Sequence, residues 1–216
     1  MEYGKQLKTY FLYLTLFITG AVVLIVEISG TRILAPFYGS TIYVWSSLIT
    51  VTMACLALGY YWGGRLADKY PDFRILYLII FLTGLIILII PKIDGLVLLW
   101  SYGLGTKWGS LLASFLLFSL PLTALGMISP LAIKLKTKFL DSLGTIAGNL
   151  YAISTVGSLV GALLAGFWLI PNFGIASIIN FSGSALLIIS IIWLVVNQRF
   201  SKSFISGIAL IVGDKY

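Results

Sequence analysis

The residues of this chain best suited to chemistry are an acid and a base placed close together in an apolar region. Glu27 and Arg32 follow a run without charge that extends over Tyr10–Val26. A carboxylate inside a membrane is costly to bury, so such a residue is a candidate for binding an ion, a proton or a substrate. Two aromatic residues, Tyr43 and Trp45, come soon after, and aromatic faces attract organic cations. The pattern predicts a site for a small cation or a proton.

A structural interpretation of the same two charges stays open. Five residues turn an α-helix by about 500°, so Glu27 and Arg32 do not share a face of a regular helix. They meet only if the helix breaks at Ser29–Gly30, where glycine permits unusual dihedrals, and Pro36 then ends it. In that interpretation Arg32 extends toward lipid headgroups, and the aromatic residues form an interfacial belt. We expect a break near the glycine, with Glu27 facing the bundle interior and Arg32 near the outer boundary.

Three further polar residues in a later apolar stretch complete the candidate substrate or ion site: Asn149, Tyr151 and Ser154. The residue inventory excludes several other chemistries. The chain has no histidine and one cysteine, Cys55, which excludes a zinc centre, an internal disulfide and a Ser-His-Asp triad. We therefore expect no catalytic residues, no metal and no cofactor.

The elements that position these residues follow from the composition. Of the 216 residues, 60% are hydrophobic and 10% are charged, whereas soluble domains carry about 25% charged residues. The mean hydropathy is +1.07. These values predict an all-α, polytopic membrane helix bundle that forms one transmembrane domain over residues 1–216 in the lipid bilayer. No basic cluster alternates with aromatic residues, so the net charge of +7 does not indicate nucleic-acid binding.

Six stretches have about the 20 apolar residues that a bilayer-spanning helix needs. They are predicted at residues 10–29, 43–63, 75–90, 110–128, 145–170 and 176–196. An apolar tail at 204–212 is too short to span alone, and residues 91–108 form the longest predicted connection. The basic residues of the loops divide ten to three between the two sides. This bias predicts a multi-pass protein of the cell (cytoplasmic, or inner) membrane with a cytoplasmic N-terminus.

Small residues at four-residue spacing predict close helix packing. They are Gly59 and Gly63 in the second span, and Gly157, Gly161 and Ala165 in the fifth. A constant offset of 102 residues relates the second-span glycines to Gly161 and Ala165. Because the two spans cross in opposite directions, the offset indicates a 3+3 inverted repeat, which is a device of transporters. Packing within the chain, a subunit interface and a sliding surface all remain open.

The loop after the second span reads GGRLADKYPDFR. It resembles the cytoplasmic motif between the second and third helices of major facilitator superfamily transporters, where charge pairs around an aspartate close the inward side. The resemblance implies a cytoplasmic gating motif made of Gly64, Arg65, Asp68, Lys69 and Arg74. Pro71 and Asp72 depart from that motif, which has a glycine and a basic residue there. An ordinary basic loop with a solvated Asp68 is the alternative.

A broader resemblance covers most of the chain. The segments EISGTRILAPFYGSTIYVWSS, LALGYYWGGRLAD, PLTALGMISPL and GNLYAISTVGSLVGALLAGFWLIP look, in this order, like the membrane domain of spermidine synthase-like membrane proteins. In that family the membrane helices commonly precede a soluble aminopropyltransferase-like domain. Residues 1–216 contain no such domain, so the resemblance carries over no catalytic activity.

Two functions follow as expectations. The first is a transporter-like protein, a six-helix half of a major-facilitator-like fold. It would handle a small organic cation such as a polyamine, as a homodimer or with a second membrane chain. The second is a membrane anchor or substrate-delivery subunit for a separate, soluble aminopropyltransferase-like protein that docks on the basic cytoplasmic loops. An isolated membrane domain with a structural role is a third interpretation.

Overall fold

The chain is helical through almost all of the part that the structure describes. This computed structural model describes residues 2–137 and 143–198, so the apolar tail at 204–212 lies outside the described residues. The helices are α1 (Glu2–Tyr38), α2 (Ile42–Lys69), α3 (Phe73–Tyr102), α4 (Gly105–Gly126), α5 (Ile128–Lys136), α6 (Leu143–Leu164), α7 (Ile170–Asn172) and α8 (Ile175–Gln198). A π-helical segment, Ala165–Leu169, joins α6 to α7.

Six stretches of the described chain are long and apolar enough to cross a membrane. They are Lys8–Tyr38, Ile42–Lys69, Phe73–Tyr102, Gly105–Lys136, Leu143–Asn172 and Ile175–Val195. Each overlaps one of the predicted spans. An apolar segment crosses a bilayer as a helix, because the backbone groups must be hydrogen-bonded within the segment. The prediction of an all-α, polytopic membrane helix bundle is confirmed.

The predicted helix break near Gly30 is wrong. Helix α1 continues through Gly30 and Pro36 to Tyr38. The glycine serves packing instead, since a Cβ at this position would lie 3.0 Å from side-chain atoms of Leu48 and Phe118. The helix ends at Tyr38, and the next residue, Gly39, has a φ of 72°, the left-handed conformation typical of a residue just past a helix end.

The predicted long connection at 91–108 is also wrong. Helix α3 runs through Pro91 to Tyr102, and α4 begins at Gly105. One proline removes one backbone hydrogen bond, and tertiary packing offsets that loss. Ser101 is fully buried near the end of α3, and its Oγ lies 2.7 Å from the hydroxyl of Tyr38.

The helix pairs of the bundle stay the same when the first three spans are exchanged for the last three. Helix α1 packs most extensively on α6, α2 packs on α4, and α3 packs on α8. If α1–α3 are exchanged for α4–α8, the α1–α6 pair maps onto the α4–α2 pair. The α3–α8 pair maps onto itself. This pairing is what an inverted repeat of three spans plus three spans requires.

The residues at two of these crossings, α2–α4 and α1–α6, follow the same constant offset of 102. A Cβ added to Gly59 would collide with the backbone of Thr123, and one added to Gly161 would collide with the backbone of Ala21. Adding 102 to 59 gives 161, and adding 102 to 21 gives 123, so the two contacts are equivalent. At the α3–α8 crossing, a Cβ on Gly84 would lie 2.9 Å from the carbonyl oxygen of Gly183.

Two buried tyrosines connect α1 to α3. The Thr15 hydroxyl donates to the Phe11 carbonyl oxygen at 2.8 Å, so the Tyr77 hydroxyl must donate to Thr15 Oγ1 at 3.0 Å. At the other end, Ser101 donates to its own helix in the same way and accepts from Tyr38. Each hydroxyl pair is satisfied without water, which the membrane interior requires.

We expect Gly157→Ala to destabilise the bundle. A Cβ at Gly157 would collide with the Phe17 carbonyl group of α1. Overpacking of this kind costs about 1–3 kcal/mol, and a domain of this size loses about 2–4 °C in Tm per kcal/mol. The measurement is thermal unfolding in detergent micelles, followed by circular dichroism.

Gly148→Ala is the matched control, because a Cβ at Gly148 on the same helix has nothing within 4 Å. That change leaves Tm unchanged or raises it slightly, since alanine is the better helix former. Equal Tm values for the two variants would refute the backbone contact between α1 and α6.

Candidate functional site

Glu27 lies on the side of α1 that faces α6. It follows Gly20 by seven residues, which is about 20° short of two full turns, so the two share one stripe of the helix. A Cβ at Gly20 would collide with the backbone of Ser154 in α6, which fixes the direction of that stripe. The Glu27 side chain is half-buried. The acid therefore lies on a helix–helix interface of the bundle.

The π-helical segment lies at about the height of Glu27. Ala21 contacts Gly161, and six further residues raise α1 by about 9 Å, to the level of the π-helical segment Ala165–Leu169. One-turn π-helical insertions in α-helices are frequent at functional sites. The acid and the irregular helix turn thus occupy the same level of the α1–α6 interface.

Glu27 and Arg32 do not pair with each other. The continuous helix keeps them on different faces, and neither makes an ion pair with the described side chains of residues 8–137 and 143–195. Arg32 is exposed and lines an open cleft of about 720 Å³. The cleft is lined by Arg32, Ala35, Pro36, Gly166, Ile170, Pro171, Phe173, Gly174 and Ile175.

The other predicted site residues are not brought together with this cleft. Tyr43 and Trp45 are exposed at the start of α2, where Lys107 Nζ lies 5.1 Å from the centre of the Tyr43 ring. Asn149 and Tyr151 are exposed in the first turns of α6. Ser154, which is half-buried, packs on Gly20 instead of facing a cavity. Of all the predicted residues, only Arg32 lines the cleft.

The predicted gating motif lies at the opposite end of the bundle, which the loop charges predict to be cytoplasmic. Lys134 Nζ of α5 lies 2.7 Å from Asp68 Oδ1 of α2. Arg65 stacks over the Tyr61 ring, with its guanidinium carbon 4.1 Å from the ring centre. Gly64 is half-buried and leaves open space where a Cβ would be.

The departure from the family motif at Pro71 and Asp72 has a local explanation. Asp72 is the N-cap of α3, and its carboxylate accepts from the Arg74 backbone N–H at 2.9 Å. Lys69 is positioned over the ring of Tyr70, with Nζ 5.1 Å from the ring centre. The acid that interrupts the basic run therefore starts a helix, because carboxylates at an N-cap satisfy free backbone N–H groups.

Sequence reasoning missed Lys134 as the partner of Asp68. The two residues are 66 positions apart, and the local motif carries no trace of the pairing. The offset of 102 relates Lys134 to Arg32 and Asp68 to Ile170. The Arg32–Ile170 pair and the Lys134–Asp68 pair therefore hold corresponding sequence positions in the two halves. One end is joined by an ion pair, and the other holds a lone cation beside an isoleucine across an open cleft.

Comparison of the chain with protein-family models, with curated proteins and with solved structures finds no match. The class defined by the fold is that of a polytopic helical membrane protein, and its site features are the Arg32 cleft and the Asp68–Lys134 ion pair.

We expect Asp68→Asn to change stability only slightly. The side chains of Lys134 and Asp68 are 48% and 74% exposed, and such surface ion pairs contribute about 0–1 kcal/mol. Thermal unfolding at low and high salt measures the effect.

Asp72→Asn is the matched control, because it removes the same charge at the nearby N-cap of α3 and asparagine still caps a helix. A loss of Tm for Asp68→Asn as large as that for Gly157→Ala would show that the ion pair is a main structural contact, contrary to this prediction.

Proposed function

We propose that this chain is a six-helix, transporter-like unit. The observation that carries the proposal is the packing of its two halves, in which the α1–α6 and α2–α4 crossings are equivalent at an offset of 102 residues. Repeats of opposite orientation let a membrane protein adopt two related states, each open to one side. The resemblance of residues 64–74 to a transporter gating motif supports the same function.

The two ends of the bundle give this proposal a mechanism. Asp68 and Lys134 connect α2 to α5 at one end. At the equivalent positions of the other end, Arg32 and Ile170 line an open cleft. If the ion pair broke and the cleft closed, the Asp68 end would become the open end and the Arg32 end the closed one, as in a rocking motion of packed helices.

Glu27 is the proposed site for the transported or coupled cation. It is a half-buried carboxylate at the α1–α6 interface, near the height of the π-helical segment. A small organic cation such as a polyamine, or a proton, is the proposed occupant, and the resemblance to spermidine synthase-like membrane proteins favours the polyamine. Arg32 opposes a free cation in the cleft above it, so the test includes proton movement.

The proposal includes assembly with a second copy or a second membrane chain. Facilitator-type transporters bind substrate between two six-helix halves, and this chain supplies six spans. The span Leu143–Asn172 is the least buried of the six, with large exposed side chains such as Leu159, Leu163 and Phe167. Native mass spectrometry of the purified protein reports the number of chains.

The alternative, an anchor for a soluble aminopropyltransferase-like protein, rests on the resemblance alone. Its proposed docking surface includes Arg65 and Lys134, which already contact Tyr61 and Asp68 within the chain. No contact in the described part of the chain favours this function over the first.

The proposed function predicts uptake of a labelled polyamine into proteoliposomes, with or without counter-movement of protons. Glu27→Gln removes the negative charge with little change in size, so we expect uptake to fall at least about tenfold, the equivalent of about 1.4 kcal/mol of lost binding.

Asp94→Asn is the matched control, because Asp94 is a half-buried carboxylate of α3 that does not line the cleft. We expect it to keep wild-type uptake. Uptake by Glu27→Gln at the wild-type rate would refute the site, and no uptake of any polyamine by wild type would refute the substrate class.

The mechanism also predicts a change at Cys55, the one cysteine of the chain. Cys55 is 2% exposed and lies in α2, beside Thr123 of α4. Asp68→Asn weakens the contact that closes this end, so we expect maleimide labelling of Cys55 to become up to about fivefold faster, as a bias of about 1 kcal/mol allows.

Asp72→Asn should label at the wild-type rate, because its carboxylate caps α3 and does not connect α2 to α5. Identical labelling of Cys55 in Asp68→Asn and in wild type would show that the ion pair does not control opening of this end.

A further inference from the structure

The cleft at Arg32 is open and mostly apolar. Its volume of about 720 Å³ falls within the range of small-molecule sites, about 300–1,000 Å³. Apolar side chains form most of its walls, among them Ile170, Pro171, Phe173 and Ile175. Arg32 is the one charged residue among those that line it. A ligand for this cleft therefore combines an apolar part with one negatively charged group.

The equivalent position in the other half already binds a carboxylate. Lys134 corresponds to Arg32 through the offset of 102, and its Nζ lies 2.7 Å from Asp68 Oδ1. Ile170 occupies the position of that aspartate in the cleft, so the chain supplies no carboxylate there. Arg32 thus corresponds in sequence to a residue that binds a carboxylate, whereas the residues that line its own cleft supply none.

A second feature adds positive potential to the same cleft. Gly174 and Ile175 line it at the N-terminus of the 24-residue helix α8. The first backbone hydrogen bonds of α8 are donated by Ser177 and Ile178 to the Gly174 carbonyl oxygen. The backbone N–H groups before Ser177 therefore lie ahead of the hydrogen bonds of the helix. The N-terminal end of a helix favours negative charge.

The depth of Arg32 in the membrane selects the source of the anion. Arg32 lies 22 residues beyond Tyr10, which corresponds to about 33 Å of helix, whereas the hydrocarbon core is about 30 Å thick. Counted from Tyr10, where the uncharged run begins, this length places the guanidinium group near the phosphates of the lipid headgroups. Arginine binds phosphate through two parallel hydrogen bonds, and the apolar walls below it suit an acyl chain.

We propose that the cleft between the end of α1 and the α6–α8 connection binds an anionic phospholipid, with Arg32 holding the headgroup phosphate and the apolar walls holding an acyl chain. This site is distinct from the proposed cation site at Glu27, which does not line the cleft. The lipid would occupy the end of the bundle where the two halves lack an ion pair.

The test is a titration of the purified, detergent-solubilised protein with phosphatidylglycerol and, separately, phosphatidylcholine of the same acyl chains, followed by native mass spectrometry. We expect wild type to bind phosphatidylglycerol at least about tenfold more tightly than phosphatidylcholine. Arg32→Gln should lose this preference, whereas Lys92→Gln, which removes an exposed charge of α3 outside the cleft, should keep it.

A second variant tests the cavity itself. Gly166 lines the cleft, and a Cβ there meets nothing within 4 Å, so Gly166→Leu fills the space without a clash. We expect it to weaken phosphatidylglycerol binding at least about tenfold with Arg32 in place, which keeps the proposal testable should Arg32→Gln fail to fold.

Three results would overturn the proposal. They are equal binding of the two lipids by wild type, an unchanged preference in a folded Arg32→Gln or Gly166→Leu variant, and displacement of the lipid by millimolar inorganic phosphate, which would make a free anion the ligand. Polyamine uptake is measured without added anionic lipid and tests the proposed function independently.

Discussion

The close approach of helix backbones at Gly59 and Gly161 is the constraint on which the arrangement of the bundle depends. In lipid, apolar side chains gain little by moving from bilayer to protein, so helices associate through close van der Waals contact between small residues. The two glycines place α2 against Thr123 and α6 against Ala21. Because both contacts obey one offset, the two halves share one packing solution. The third pair, α3 and α8, meets through Gly84 and Gly183.

Hydrogen bonds between hydroxyl groups then fix the position of α3 along α1, which the glycine contacts do not determine. Tyr77 and Tyr38 each donate to a hydroxyl that donates to its own helix, so α1 and α3 are connected near both ends. A bilayer offers no water to replace such a partner, so slippage of α3 along α1 would leave two buried hydroxyls unbonded. The connection also explains why α3 stays helical past Pro91. Its last turns carry Ser101, which is one of the two connections.

The sequence predicts six helices well and their interruptions poorly, for one physical reason. An apolar run of about 20 residues can exist in a bilayer only as a helix, so composition decides the spans. Gly30 and Pro91 are local signals of weak energy, and tertiary contacts override both. The site follows the same rule. The Asp68 motif is visible in the sequence, whereas its partner Lys134 follows only from the three-dimensional packing of α2 on α5.

The two halves share their helix pairing and differ in the side chains at corresponding positions. At one end an aspartate neutralises Lys134, and at the other an isoleucine leaves Arg32 with an open cleft. A symmetric frame with equal charges at both ends would have no preferred state. In the proposed transport mechanism, the exchange of one carboxylate for one aliphatic side chain would bias the bundle toward closure at the Asp68 end, by the modest energy of an exposed ion pair. A bias of that size is small enough for a bound ligand to reverse, because a ligand shifts an equilibrium by its differential affinity for the two states.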